Sequence, residues 1–120
     1  MWVGLGGFLG ANARYLLGGW VAARYGAAFP YGTFVINVTG SFILGFFLAF
    51  GQDRAWIAPA ARLMFAVGFV GAYTTFSTFE YETIRLAQDR EIFLAAVYML
   101  GSVVAGAAAT IAGIALGGWI

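Results

Sequence analysis

The segment Gly68-Phe69-Val70-Gly71-Ala72-Tyr73-Thr74-Thr75-Phe76-Ser77-Thr78-Phe79 crowds two Gly, three Thr and a Ser into an otherwise apolar stretch. Gly costs about 1 kcal/mol in a helix interior and Thr is a weak former. Hydroxyls also compete for backbone hydrogen bonds. A helix here either breaks near 71–75 or survives as a Gly/Thr-rich packed helix. A break would free carbonyls that bind a small hard cation. Phe76 and Phe79 lie three apart and share a face, with Glu82 at the same spacing. Two such rings pack, or they turn their positive edges to an anion. Asn37 stands in a stretch with no charge and offers two N–H donors, which suit an anion or a neighbouring helix. The chemistry on offer is the handling of small ions by neutral groups. Cys/His metal sites are excluded, and most acid–base enzymes lose their usual proton carrier, because the chain has no His and no Cys.

The elements that position these residues follow from composition. The chain has 120 residues, 62% hydrophobic and only 9% charged. A soluble domain has about 25% charged residues, so this is a membrane protein. The net charge of +1 leaves no footprint for nucleic acid. A helical span needs ~20 mostly apolar residues. The stretch 2–23 holds one charge, Arg14, and 32–51, 63–79 and 92–120 hold none. We expect one transmembrane domain, 1–120, with helices at about 2–23, 32–51, 61–86 and 92–118, the third broken near 71–75. Pro30 and Pro59 fall in loops just before a helix, where a missing N–H costs least. No Lys or Arg precedes the first span, and Arg14 interrupts it, which argues against a cleaved signal. We expect no appended soluble domain.

The end with the N-terminus, the second loop and the C-terminus holds Arg54 and Arg62. The other end holds Arg24, Arg85 and Arg90. A difference of one is hardly a bias by the positive-inside rule. Either another signal sets the orientation or the chain inserts both ways, which permits an antiparallel dimer. Gly6/Gly10 and Gly113/Gly117 are small-xxx-small pairs for close helix packing. Thr33, Asn37, Ser41 and Gly45 share one face, a helix seam or a polar path. Tyr98 and Ser102 share another, and bond to a neighbouring helix or extend a polar track. Arg14 either snorkels to an interface or makes an electropositive vestibule for anions.

The segments Gly6-Gly7-Phe8-Leu9-Gly10-Ala11-Asn12-Ala13-Arg14-Tyr15, Gly32-Thr33-Phe34-Val35-Ile36-Asn37-Val38-Thr39-Gly40-Ser41-Phe42 and the 68–79 run resemble the Fluc family of fluoride channels, also called CrcB proteins. The likeness extends over nearly the whole chain in length, helix number and motif order. The resemblance implies an all-α membrane protein that is not an enzyme: an antiparallel, dual-topology homodimer with two fluoride pores. It implies passive export of fluoride across a prokaryotic cell membrane, with membrane lipid and a second copy of the chain as partners. By position, Phe76 and Phe79 are similar to the pore-lining rings and Asn37 to the pore amide. Ser77, Thr78, Tyr98 and Ser102 are similar to the polar track, Glu82 to the acid near its end, and Arg14 to the first-helix arginine. Gly71 and Thr74 are similar to the carbonyl ligands of a structural, untransported Na⁺ at the dimer centre. The chief competitor is a small four-helix, proton-coupled multidrug exporter. It needs an embedded carboxylate, whereas Glu80 and Glu82 come late in the third span.

Overall fold

The computed structural model describes residues 1–120 and contains only helices. Helix α1 runs Trp2–Tyr25 and α2 runs Tyr31–Gly51. The third span is divided. Its first part, α3, covers 59–73, as an opening turn Pro59–Arg62, a π-helical stretch Leu63–Val70 and a last turn Gly71–Tyr73. Its second part, α4, is Phe76–Gln88, and α5 is Ile92–Trp119. Pro59 is itself the first helical residue of α3, whereas Pro30 caps α2 from outside. Helices α2 and α5 are each long and apolar enough to cross a membrane.

The four spans make an elongated bundle of 51 × 29 × 22 Å. Only 18 of the 120 residues are buried, so most large apolar side chains point outward, toward lipid or a partner. The bundle therefore depends on backbone approach more than on a thick core. Helix α1 lies on the π-helical stretch through Gly6, Gly10 and Gly68. A Cβ on Gly6 would strike the Met64 carbonyl, and one on Gly10 the Phe69 carbonyl. Helices α2 and α5 make the second seam, where a Cβ on Gly113 or Gly117 would meet the Phe42 or Phe46 carbonyl. Both small-residue pairs singled out in the sequence thus sit at helix crossings. Gly113→Ala pushes against backbone, which cannot give way as a flexible side chain can. It should lower stability by about 1–3 kcal/mol, read as a drop in melting temperature, whereas Gly118→Ala, with open space around it, should be neutral.

The loop ends are tied by arginine. Arg62 donates to the Gly51 and Arg54 carbonyls at 2.6 and 2.9 Å, closing the loop after α2. Arg54 bonds the Phe50 carbonyl and reaches the Ile120 carbonyl at 3.2 Å. The second loop and the C-terminus therefore share one end of the bundle. A compact core lies near the other end, where Phe79, Leu86, Ala95 and Tyr98 join α4 to α5.

Candidate functional site

The site is built around the gap between α3 and α4. Thr74 (φ −82°, ψ 158°) and Thr75 (φ −149°, ψ 118°) are extended, while Gly71 stays helical (φ −60°, ψ −37°). Two hydrogen bonds change partners here. In a continuous helix the Thr75 N–H would donate to the Gly71 carbonyl; instead it donates to Asn37 Oδ1 at 2.8 Å. The Thr78 N–H would donate to the Thr74 carbonyl, but it donates to Thr75 Oγ1 at 3.3 Å. The carbonyls of Gly71 and Thr74 thereby lose their helical donors, and these are the two carbonyls to which the family resemblance pointed.

Side chains of α1 and α2 brace the gap. Asn37 Nδ2 donates to the Thr75 carbonyl at 3.0 Å, so one carboxamide satisfies both backbone groups of Thr75. Each such group left unsatisfied at membrane depth would cost several kcal/mol. A trans peptide sets its N–H and C=O on opposite sides. By holding the Thr75 N–H, Asn37 therefore aims the Thr74 carbonyl away from itself. The Arg14 Nε–H donates to the Ala72 carbonyl at 3.1 Å. The Thr39 hydroxyl donates to the Val35 carbonyl at 2.6 Å, so at its 2.9 Å contact with Tyr73 the phenol is the donor. Thr75 also caps α4 through the Thr78 N–H and donates its own proton to Thr78 Oγ1 at 3.1 Å.

Two clefts flank the gap. The smaller, about 170 Å³, is lined by Asn37, Phe76, Phe79, Ser102 and Val103. The Phe76 and Phe79 rings lie 6.1 Å apart at 55°. Phe79 is buried at 7% exposure and Phe76 is 73% exposed. The Ser102 hydroxyl is buried without a hydrogen-bond partner, and Asn37 has a second N–H to spare. Neutral polar groups and two aromatic rings meet here, with no charge among the lining residues. The larger cavity, about 930 Å³, has Arg14, Thr33, Thr75, Thr78, Glu82 and Arg85 on its walls. Arg14 and Glu82 thus share one open chamber. Tyr98 is fully buried, its hydroxyl donating to Glu82 Oε1 at 3.2 Å and its ring meeting Phe79 edge-on at 5.1 Å. Ser102 therefore lines the smaller cleft, whereas the buried Tyr98 lines neither, although both lie beside Phe79. Ser77 is exposed and lines neither cleft.

No group of three or more acidic residues comes together that could hold a metal ion. Gly71 is exposed, and a Cβ there would meet nothing. A hard cation takes about six oxygens, more than the two released carbonyls of one chain bring. The sequence reading missed Thr75, the pivot of the gap, and the Tyr73–Thr39 clasp. The spacing Thr75-x-x-Thr78 is an N-cap pattern that would have marked the start of α4.

The family described as CrcB-like protein, Camphor Resistance (CrcB), matches residues 1–114. A protein of Acidobacterium capsulatum named fluoride-specific ion channel FluC is 50% identical over 117 residues, covering 98% of this chain and 94% of that protein. A protein of the same name from Trichormus variabilis is 47% identical over 116 residues, 96% of this chain and 85% of its own. One from Geotalea daltonii is 42% identical over 120 residues, 100% and 97% of the two chains.

Proposed function

Since the chain belongs to the CrcB family, we propose that it is a fluoride channel of the bacterial plasma membrane, passing fluoride passively out of the cytoplasm and so protecting the cell from its toxicity. The observation that carries this reading is the uncharged cleft that joins Asn37, Phe76, Phe79 and the unpartnered Ser102 hydroxyl. Conduction needs binding strong enough to admit the ion and weak enough to release it. Ring edges, a spare amide N–H and a hydroxyl supply weak donors, whereas an arginine in the cleft would trap the ion. A small cleft of such donors favours a small anion. Arg14 adds a positive charge to the larger chamber, where Thr78 and Glu82 give polar contacts. Ser77 and Tyr98 stay in the proposed track through the family likeness, since neither lines either cleft.

The exposure of Phe76 supports a dimer, because a pore wall that faces outward in one chain needs a second chain to close it. The near-balanced arginines favour an antiparallel copy, and two chains together would offer four released carbonyls to a structural Na⁺. A proton-coupled exporter is not favoured. Its relatives by sequence would not be named channels, and Glu82 already accepts the Tyr98 hydroxyl beside an open chamber.

The test is efflux from liposomes followed with a fluoride electrode, against a matched chloride gradient. Fluoride should leave and chloride should not, with no dependence on a pH gradient. Phe76→Ile should slow fluoride efflux with little change in melting, since that ring is exposed. Phe79→Ile should slow efflux and also cost about 0.5–1.5 kcal/mol of stability through the lost edge contact with Tyr98. Equal chloride flux, or normal fluoride flux in both variants, would overturn the reading.

A further inference from the structure

We propose that Arg14 is a positioning residue for the gap between α3 and α4, in addition to being a charge in the larger chamber; this rests on the channel reading above. Arg14 is half-buried on α1, and its one hydrogen bond within the chain runs from Nε to the Ala72 carbonyl, 58 residues away. Ala72 stands between Gly71 and Thr74, whose carbonyls have lost their helical donors. The last carbonyls of a helix lack intrahelical partners and form the negative end of its dipole. A guanidinium meets such a carbonyl with a charge-assisted bond from a donor fixed in a plane.

The peptide that follows Ala72 is thus held from α1, and the peptide between Thr74 and Thr75 is held from α2 by Asn37. Peptide planarity leaves only two soft dihedrals per residue. The short stretch between these anchors has little freedom, so the direction of the Thr74 carbonyl depends on both, while the helical Gly71 lies one peptide before the Arg14 anchor. Arg14 acts on the ion path through Ala72 and not by touching the ion in the smaller cleft, whose lining it does not join.

The distinction from a pure charge effect is atomic. Lysine keeps the positive charge in the chamber, but it has a methylene where arginine has Nε–H, and its amine lies one bond further out. If Arg14 only attracted anions, Arg14→Lys would conduct normally, and Arg14→Gln would raise the half-saturating fluoride concentration without altering saturated flux. Positioning makes the opposite forecast. Arg14→Lys should lose about tenfold or more of the saturated flux, the equivalent of one charge-assisted hydrogen bond. Its half-saturating fluoride should stay near that of the unsubstituted protein.

The experiment measures fluoride efflux from liposomes over a range of fluoride concentrations for the unsubstituted protein, Arg14→Lys and Arg14→Gln. The Na⁺ concentration that half-stabilises each purified protein against heat is measured beside it, and it should rise in both variants alike. Should Arg14→Gln fail to assemble, Arg14→Lys alone decides. Saturated flux and Na⁺ response in Arg14→Lys equal to those of the unsubstituted protein would overturn the inference. Absence of fluoride flux from the unsubstituted protein would instead overturn the channel reading itself.

Discussion

Asn37→Asp should abolish fluoride efflux, with a fall of at least about a hundredfold expected from the loss of a half-buried, bidentate contact. The amide donates to the Thr75 carbonyl at 3.0 Å and accepts from the Thr75 N–H at 2.8 Å. A carboxylate can still accept, but its second oxygen faces the Thr75 carbonyl, and two acceptors repel. Insertion scales put a charged Asp at a span centre at about 2.5–3.5 kcal/mol. The variant also sets a negative charge on the wall of the smaller cleft, where a fluoride ion would have to pass. Both effects act in one direction. Efflux and gel-filtration position should be measured together, so that loss of the pore is separated from loss of assembly. Efflux within a few-fold of the unsubstituted protein would show that the amide neither braces the gap nor faces the ion.

Removal of Na⁺ should have the second large effect. The carbonyls of Gly71 and Thr74 are freed by the partner swaps of Thr75 and Thr78. Buried between two chains, they would need a cation to offset their mutual repulsion. An ion that binds the dimer and not the separate chains stabilises the dimer by mass action. Prolonged exchange into a bulky organic cation should therefore lower the melting temperature and silence fluoride flux, and restored Na⁺ should recover both. Unchanged melting and flux after verified removal would leave the freed carbonyls without a cation role.

Much of this arrangement was legible because local composition dictated it. The Gly/Thr/Ser cluster announced a weak helix, and the structure bends at Thr74 and Thr75 within it. The four apolar stretches announced four spans, and the glycine pairs announced the two seams. What the sequence withheld was long-range pairing. Nothing near Arg14 points to Ala72, and nothing near Asn37 points to Thr75, because those contacts exist only once three helices are docked. The Tyr98–Ser102 spacing placed both hydroxyls on one helix face, but Phe79 sits between their destinations. The π-helical stretch Leu63–Val70 was invisible for a different reason. Its apolar run satisfies an α-helix equally well, and a π-helix is rare.

The dependence of the gap on α1 and α2 has a consequence for biogenesis. Helix α4 carries Glu80, Glu82 and Arg85 within 13 residues and could not enter a bilayer as an independent apolar segment. Its entry is tied to the bend at Thr74–Thr75, where Asn37 of α2 meets the Thr75 backbone and Arg14 of α1 meets the Ala72 carbonyl just before it. A chain emerging from the ribosome delivers those two spans first. By the time residues 72–75 reach the membrane, the guanidinium that receives Ala72 and the amide that receives Thr75 are already in place. The order of the segments along the chain is therefore also a workable order of insertion. A circular permutant that delivered α3 and α4 before α1 and α2 would expose an unbraced bend to lipid, to the detriment of yield even if the finished bundle were equally stable.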